Sequence, residues 1–315
     1  MLKKVVLGVL CGLVMGQTAH ADAERAKVYR DAEQAFLERT SLKAADDKCA
    51  YFTELERSAL TAGQLQSRGE LLRSGVFTRE AIDEAAAEVQ RYANSQPCGQ
   101  SDFIAARAHL KNAFEAFVGT MVMDYPGLIA EWNASRSRWD TWRIVQNGST
   151  QSYLFQFGLL APLLPDPDEF DATFSRPLDA PLRSDPYDLS LELILTGDKA
   201  PPSLARILIR DPVKAPEPWL GSLFSDEIKP PPIGLTRAYW ASARELITDE
   251  KSGERKLRFK FSPEATAAIE RLDPREQFEI AVLPNARSGE SQPEILTIEV
   301  GDFAAAHAFV KLPPL

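Results

Sequence analysis

The chain has 315 residues, of which 44% are hydrophobic and 26% charged, and a formal charge of −9. That length can bury a sizeable core and suits two domains. The acidic balance argues against nucleic acid and anionic lipid as partners, because both reward Lys and Arg.

The first 21 residues have the layout of a secretory signal peptide. Lys3 and Lys4 precede an apolar run from Val5 to Met15, and Ala19-His20-Ala21 offers small residues where a signal peptidase reads. Cleavage is expected between Ala21 and Asp22. The apolar run is 11 residues, whereas a spanning helix needs about 20. No later segment is apolar enough to span a bilayer. The expected setting is the periplasm or the outside of the cell.

Residues 22–125 read as a bundle of four helices. The first covers about 24–41, with Tyr29, Ala32, Phe36 and Leu37 at helical spacing. The second covers about 45–74 and ends at Gly75, a good C-cap. Gly63 and Gly69 stand singly within it and suit close packing. Thr78 can cap the third helix, which stops at Pro97-Cys98-Gly99. Ser101 can cap the fourth, which runs past Phe117 and Met121 towards Pro126. Of three cysteines, Cys11 leaves with the leader, so Cys49 and Cys98 are expected to form one disulfide. The point midway between them falls beside the Ser74-Gly75 turn, so antiparallel helices would bring them together.

Residues 126–141 form a connecting segment. Trp132, Trp139 and Trp142 have spacings that would line one helical face, interleaved with Arg136, Arg138 and Arg143. Flat rings with guanidinium forks suit a glycan or an anionic ligand. The same residues also suit a buried domain interface.

From residue 142 the period changes to two, predicting a β-rich, sandwich-like domain over 142–315. Asn147-Gly148 reads as a hairpin turn between 142–146 and a strand carrying Tyr153, Phe155 and Phe157. Further strands fit 189–196, 204–210, 256–261, 277–283 and 294–300, and Tyr239 and Trp240 also read as strand. Ser262-Pro263 opens a short helix, and Asp302 can cap a last one to about Lys311. Fourteen of the 22 prolines lie between Pro162 and Pro232. They mark 162–187 and 211–232 as long loops, with Trp219 in the second. The fold class is α+β: a disulfide-clasped helical bundle followed by the β-rich domain.

Chemistry-bearing motifs are sparse. His109 and His307 read as helix residues without a catalytic role, and no H-E-x-x-H or C-x-x-C occurs. Asp166-Pro167-Asp168-Glu169-Phe170-Asp171 is the best cation candidate, but it lacks the glycine and closing glutamate of a calcium loop. Phosphate cradles and nucleophile elbows are absent. No metal site, cofactor or catalytic residue is expected.

The last 60 residues carry a distinctive order of segments: Phe259-Lys260-Phe261-Ser262, then Ala265 to Leu272, then Phe278-Glu279-Ile280-Ala281-Val282. A final stretch follows, Leu296-Thr297-Ile298-Glu299-Val300-Gly301-Asp302-Phe303-Ala304-Ala305-Ala306. This order resembles the end of the invasion-associated locus B family of secreted bacterial proteins. Asp302, between Gly301 and Phe303, departs from it, and the family's cysteines in this region are missing. The resemblance implies an all-β envelope domain and names no site residue. The expectation is a secreted or periplasmic, non-enzymatic protein that binds another envelope protein through Trp132, Arg136, Trp139, Trp142, Arg143 and Trp219. The alternative is a cell-wall or polysaccharide binder or hydrolase using the same segment and loop carboxylates.

Overall fold

The computed structural model describes residues 15–136, 142–161, 189–197, 200–220, 230–248, 255–285 and 292–312. Four helices come first: α1 (Met15–Cys49), α2 (Glu54–Ser74), α3 (Arg79–Ser95) and α4 (Ser101–Gly119). The expected break after residue 41 is absent, and α1 continues to Cys49. The turn instead follows at Ala50, a non-glycine residue with φ 50°. Asp46 fixes it there. Its buried carboxylate accepts the Phe52 N–H (2.8 Å) and the Arg57 Nε–H (2.6 Å). Thr53 then starts α2 with a reciprocal cap: Glu56 N–H donates to Thr53 Oγ1, and the Thr53 N–H donates to Glu56 Oε2. Gly75, with φ 68°, ends α2, and Thr78 caps α3 as the sequence predicts. Ser101 is already helical, and the N-cap of α4 is Gln100, which makes no side-chain bond.

Cys49 and Cys98 are joined, with Cα atoms 5.7 Å apart. The bond ties the end of α1 to the link after α3. Lys48 Nζ secures the same corner by donating to the carbonyls of Asn94 and Gln96. The bond spans 49 residues, a loop whose closure stabilises by about 4 kcal/mol in the chain-entropy view.

Strand pairing begins at β1 (Val122–Pro126) and β2 (Glu131–Ser135). The chain continues through β3 (Trp142–Ser149), β4 (Leu154–Leu160), β5 (Ser190–Thr196), β6 (Leu204–Arg210) and β7 (Thr236–Trp240). Then come β8 (Ala243–Thr248), β9 (Arg255–Phe261), β10 (Gln277–Leu283) and β11 (Glu294–Glu299). Short helices α5 (Pro263–Glu270) and α6 (Phe303–Val310) follow β9 and β11. A seven-stranded sheet has the order β1-β2-β3-β4-β5-β9-β8, and a four-stranded sheet the order β11-β10-β6-β7. Leu193 and Phe259 of the large sheet share one core with Ile207 and Ile298 of the small one, and Phe157 meets Phe278 at 5.8 Å. The fold is α+β: N-terminal helices, then two antiparallel sheets packed face to face.

The Asn147-Gly148 hairpin turn is corrected. Both residues lie inside β3, paired with Gln156 and Phe155. The Phe155 ring lies across Gly148 and fills the space a side chain would need. The turn falls at Thr150–Tyr153 instead, where Thr150 Oγ1 accepts the N–H groups of Ser152 (3.2 Å) and Tyr153 (3.1 Å).

The last helix is the seat on which bundle and sheets meet. Asp302 makes no capping bond to α6. Its carboxylate faces α2 and accepts both terminal nitrogens of Arg73, with Nη2–Oδ2 at 2.7 Å. Gly69 lies directly beneath, and a Cβ there would overlap that carboxylate. The close-packing role read for Gly69 in the sequence is thus explained by one contact.

Burial pushes the Asp302 carboxyl up to about 6 from an ordinary 3.8, against the pull of Arg73 and with the help of Glu70. Between those values the folded chain holds a proton that the unfolded chain has released, so this residue's contribution falls as pH rises. Urea unfolding of the wild type and of Asp302→Asn checks this. The stability difference between them should shift by about 2 kcal/mol against the wild type between pH 4 and pH 7. A difference that stays flat would refute the assignment.

Candidate functional site

The Trp/Arg segment is not a helix, so the shared helical face for Trp132 and Trp142 is corrected. Trp132 lies in β2 and Trp142 opens β3. Pro126 and Gly127 begin a hairpin turn, where the Glu299 carboxylate accepts the N–H groups of Ile129 (2.9 Å) and Ala130 (2.6 Å). The Trp132 ring is 0% exposed, set 4.9 Å from Phe303 and 6.2 Å from Phe157, and its Nε1–H donates to Val300 O at 2.9 Å. No face of it is open to a sugar.

Arg136 is equally buried. Its Nη1 donates to the carbonyls of Val118 (2.7 Å) and Thr120 (3.2 Å), capping the end of α4. Its guanidinium lies 5.4 Å from the centre of the Phe309 ring. Burial lowers its proton affinity. Trp142 is partly buried, Arg143 is buried, and both are engaged within the chain. Trp139 and the acidic run 166–171 lie outside the described residues. Exposed His109 lies near Glu38, while buried His307 bonds Glu270.

The exposed aromatic surface lies elsewhere, on the outer face of the small sheet. Along β6, Ala205, Ile207 and Ile209 enter the core. Alternation therefore puts Leu204, Arg206, Leu208 and Arg210 on the other face. Register aligns Ile295, Ala281, Arg206 and Trp240 in one row across all four strands. Trp240 is 48% exposed, and the Arg206 guanidinium stacks 5.2 Å from its ring centre. At the far end of this face, Arg210 forms a buried pair with Glu276, with Nε–Oε2 at 2.6 Å. Arg210 also donates to Ala215 O (2.6 Å) and Pro216 O (3.2 Å), and Glu276 Oε2 accepts the Trp219 N–H. This clamp lays the Pro-rich loop 211–220 over the end of the face. Trp219 sits there half-buried beside a shallow depression with Pro216, Pro218 and Leu220.

A second feature is a cleft of about 740 Å³ between the ends of β4, β5 and β9 and helices α5 and α6. Leu159, Leu189 and Phe261 form apolar wall, and Glu192, Arg258, Glu270, His307 and Lys311 supply polar and ionisable groups. Glu192 is buried. Its Oε1 accepts the Ser190 hydroxyl at 2.5 Å, and Oε2 lies 3.0 Å from Arg258 Nε as an ion pair without a hydrogen bond. Burial raises the Glu192 carboxyl, only partly opposed by Ser190 and Arg258. Glu270 goes the other way. Burial works to raise it, but the His307 bond (2.5 Å) and the nearby Lys311 and Arg271 hold it below its ordinary value.

These features define an α+β protein with a helix-capped pair of antiparallel sheets and two surface features, one aromatic and one charged. Neither any family model nor any curated protein or solved structure matches the chain. Among the described residues no helix is long and apolar enough to cross a membrane, and no group of three or more His, Cys, Asp or Glu is placed to hold a metal.

Sequence reasoning places Trp240 in a strand but does not select its face. Nor does it single out Arg206 or Glu192. The alternation in 204–210 and 189–196 carries the available signal, since it puts Arg206 and Glu192 opposite the core. The two kinds of Trp separate by thermal or urea unfolding. Trp132→Ala should cost about 4 kcal/mol, whereas Trp240→Ala, on the surface, should change stability by less than about 1 kcal/mol.

Proposed function

We propose that the protein is an exported, non-enzymatic envelope protein that acts by binding another protein through the outer face of its small sheet. The observation that carries this is the pair of accessible tryptophans on that face. Trp240 is stacked by Arg206 at 5.2 Å, and Trp219 is held by the Arg210–Glu276 clamp. Trp and Arg on a rigid scaffold are the residues that dominate protein interfaces. The leader-like first 21 residues support export, and the resemblance of residues 259–306 to the invasion-associated locus B family points to the same compartment. A pull-down of the mature chain from an envelope extract of its own host, read by mass spectrometry, tests this. One reproducible protein partner is expected, with recovery reduced about tenfold by the double variant Trp219→Ala, Trp240→Ala. Retention on peptidoglycan or polysaccharide alone would overturn it.

One observation favours a second reading, glycan hydrolysis in the cleft. Glu192 and Glu270 are pushed in opposite directions, as an acid and a base would need. Against it, among the described residues the cleft lining contains no Trp or Tyr on which a sugar could stack. The expected outcome is no turnover of cell-wall or polysaccharide substrates by the wild type. Turnover that disappears in Glu192→Gln would reverse the order of the two readings.

A further inference from the structure

The way β7 ends its sheet specifies what kind of segment the partner offers. Among the described residues β7 pairs with β6 alone. The Asp211 N–H donates to Leu235 O (2.8 Å) and the Ala241 N–H to Ala205 O (2.9 Å). In an antiparallel ladder the bonded positions recur every second residue. Arg237 and Tyr239 therefore face β6, and the backbone groups of Thr236, Ala238 and Trp240 point away from it. Lys214 Nζ takes the outward carbonyl of Thr236. Ala238 and Trp240 are exposed, and their outward groups make no backbone bond among the described residues.

This edge is cationic in an acidic chain. Arg206 stacks on Trp240, Arg237 lies 5.7 Å from the Tyr239 ring centre, and Arg244 follows just after the corner with its Nε on Pro202 O. None of the three forms an ion pair among the described residues. Among the described residues no nearby carboxylate pairs with them: Glu245 pairs with Arg258 and Lys260, and Glu279 sits one row away, opposite Leu208. A second copy of the same edge would bring two cationic edges together, which opposes self-pairing.

We propose that β7 is the docking edge for an extended, acidic segment of the partner protein. The segment adds as a further strand, with carboxylates reaching Arg206 on one face and Arg237 on the other. This rests on the protein-binding reading above and names the partner's chemistry.

Fluorescence anisotropy of the full mature chain with a labelled peptide repeating Glu-Glu-Val-Val, which offers carboxylates on both faces of a strand, tests the proposal, with the Lys-Lys-Val-Val peptide as control. The acidic peptide should bind, the basic one should not, and Arg237→Glu should weaken binding about tenfold or more. Ala238→Pro removes an outward N–H without touching the β6 ladder, so it should abolish binding while leaving the melting curve close to wild type. Should that variant fold poorly, exposed Arg237→Glu still decides. Equal binding of both peptides, or binding unchanged by Arg237→Glu, overturns the proposal. A protein captured from envelope extract whose recovery ignores Arg237→Glu sinks this inference and leaves the protein-binding reading standing. Acidic-peptide binding with no protein captured does the reverse.

Discussion

The docking of α6 is the contact on which the arrangement of this molecule depends. Eight residues present Phe303 to Trp132, and Phe309 to Phe117, Tyr125 and Arg136. Asp302, just before them, reaches across to Arg73 on α2. The helix thus touches the end of the bundle and the first strands of the large sheet at once. Remove it and Trp132 loses its neighbour while Arg73 is left with a buried, unanswered charge. The tryptophan that looks like a ligand platform in the sequence is the floor of this seat.

Buried charge is used the same way at other junctions. Arg210–Glu276 binds the Pro-rich loop to the small sheet, and Glu192–Arg258 links neighbouring strands β5 and β9 of the large one. Such pairs contribute little net stability, because desolvation offsets their attraction. Their effect is geometric, since a misplaced loop or strand would strand a charge. That is how a segment as proline-rich as 211–220 can hold Trp219 at a fixed position. Trp240 needs no such device, because it stands on a paired strand.

What could be read from the sequence follows the range of each interaction. The strands at 204–210 and 277–283 carry apolar residues at every second position, and the chain folds them with those bounds. The disulfide follows from counting cysteines in a chain read as exported. Three features escape such reading. Asn147-Gly148 is a strong local turn signal, and it is overridden by a ring seven residues away, Phe155, packing over Gly148. The β1–β2 hairpin has five-residue strands, too short to outweigh the tryptophan spacing. Arg73 and Asp302 are 229 residues apart, and nothing in a single sequence links them. The candidate site suffers most from this. Alternation says that Arg206 leaves the core, but the face of Trp240 and its alignment with Arg206 in one row appear only once the strands are in register.

The sequence distance between α6 and its seat also sets an order of events. Chains are made from the N-terminus, and contacts between remote residues form late. The bundle can close its own disulfide over 49 residues without any contact from residue 303 onward. Until α6 is seated, Trp132 and Phe117 lack their partners Phe303 and Phe309, and the notch at Gly69 stands empty. Seating α6 therefore closes the last apolar gap between the helices and the large sheet. A polypeptide interrupted near residue 300 would keep its stapled helices yet display an apolar socket, the kind of surface that chaperones and quality-control proteases recognise.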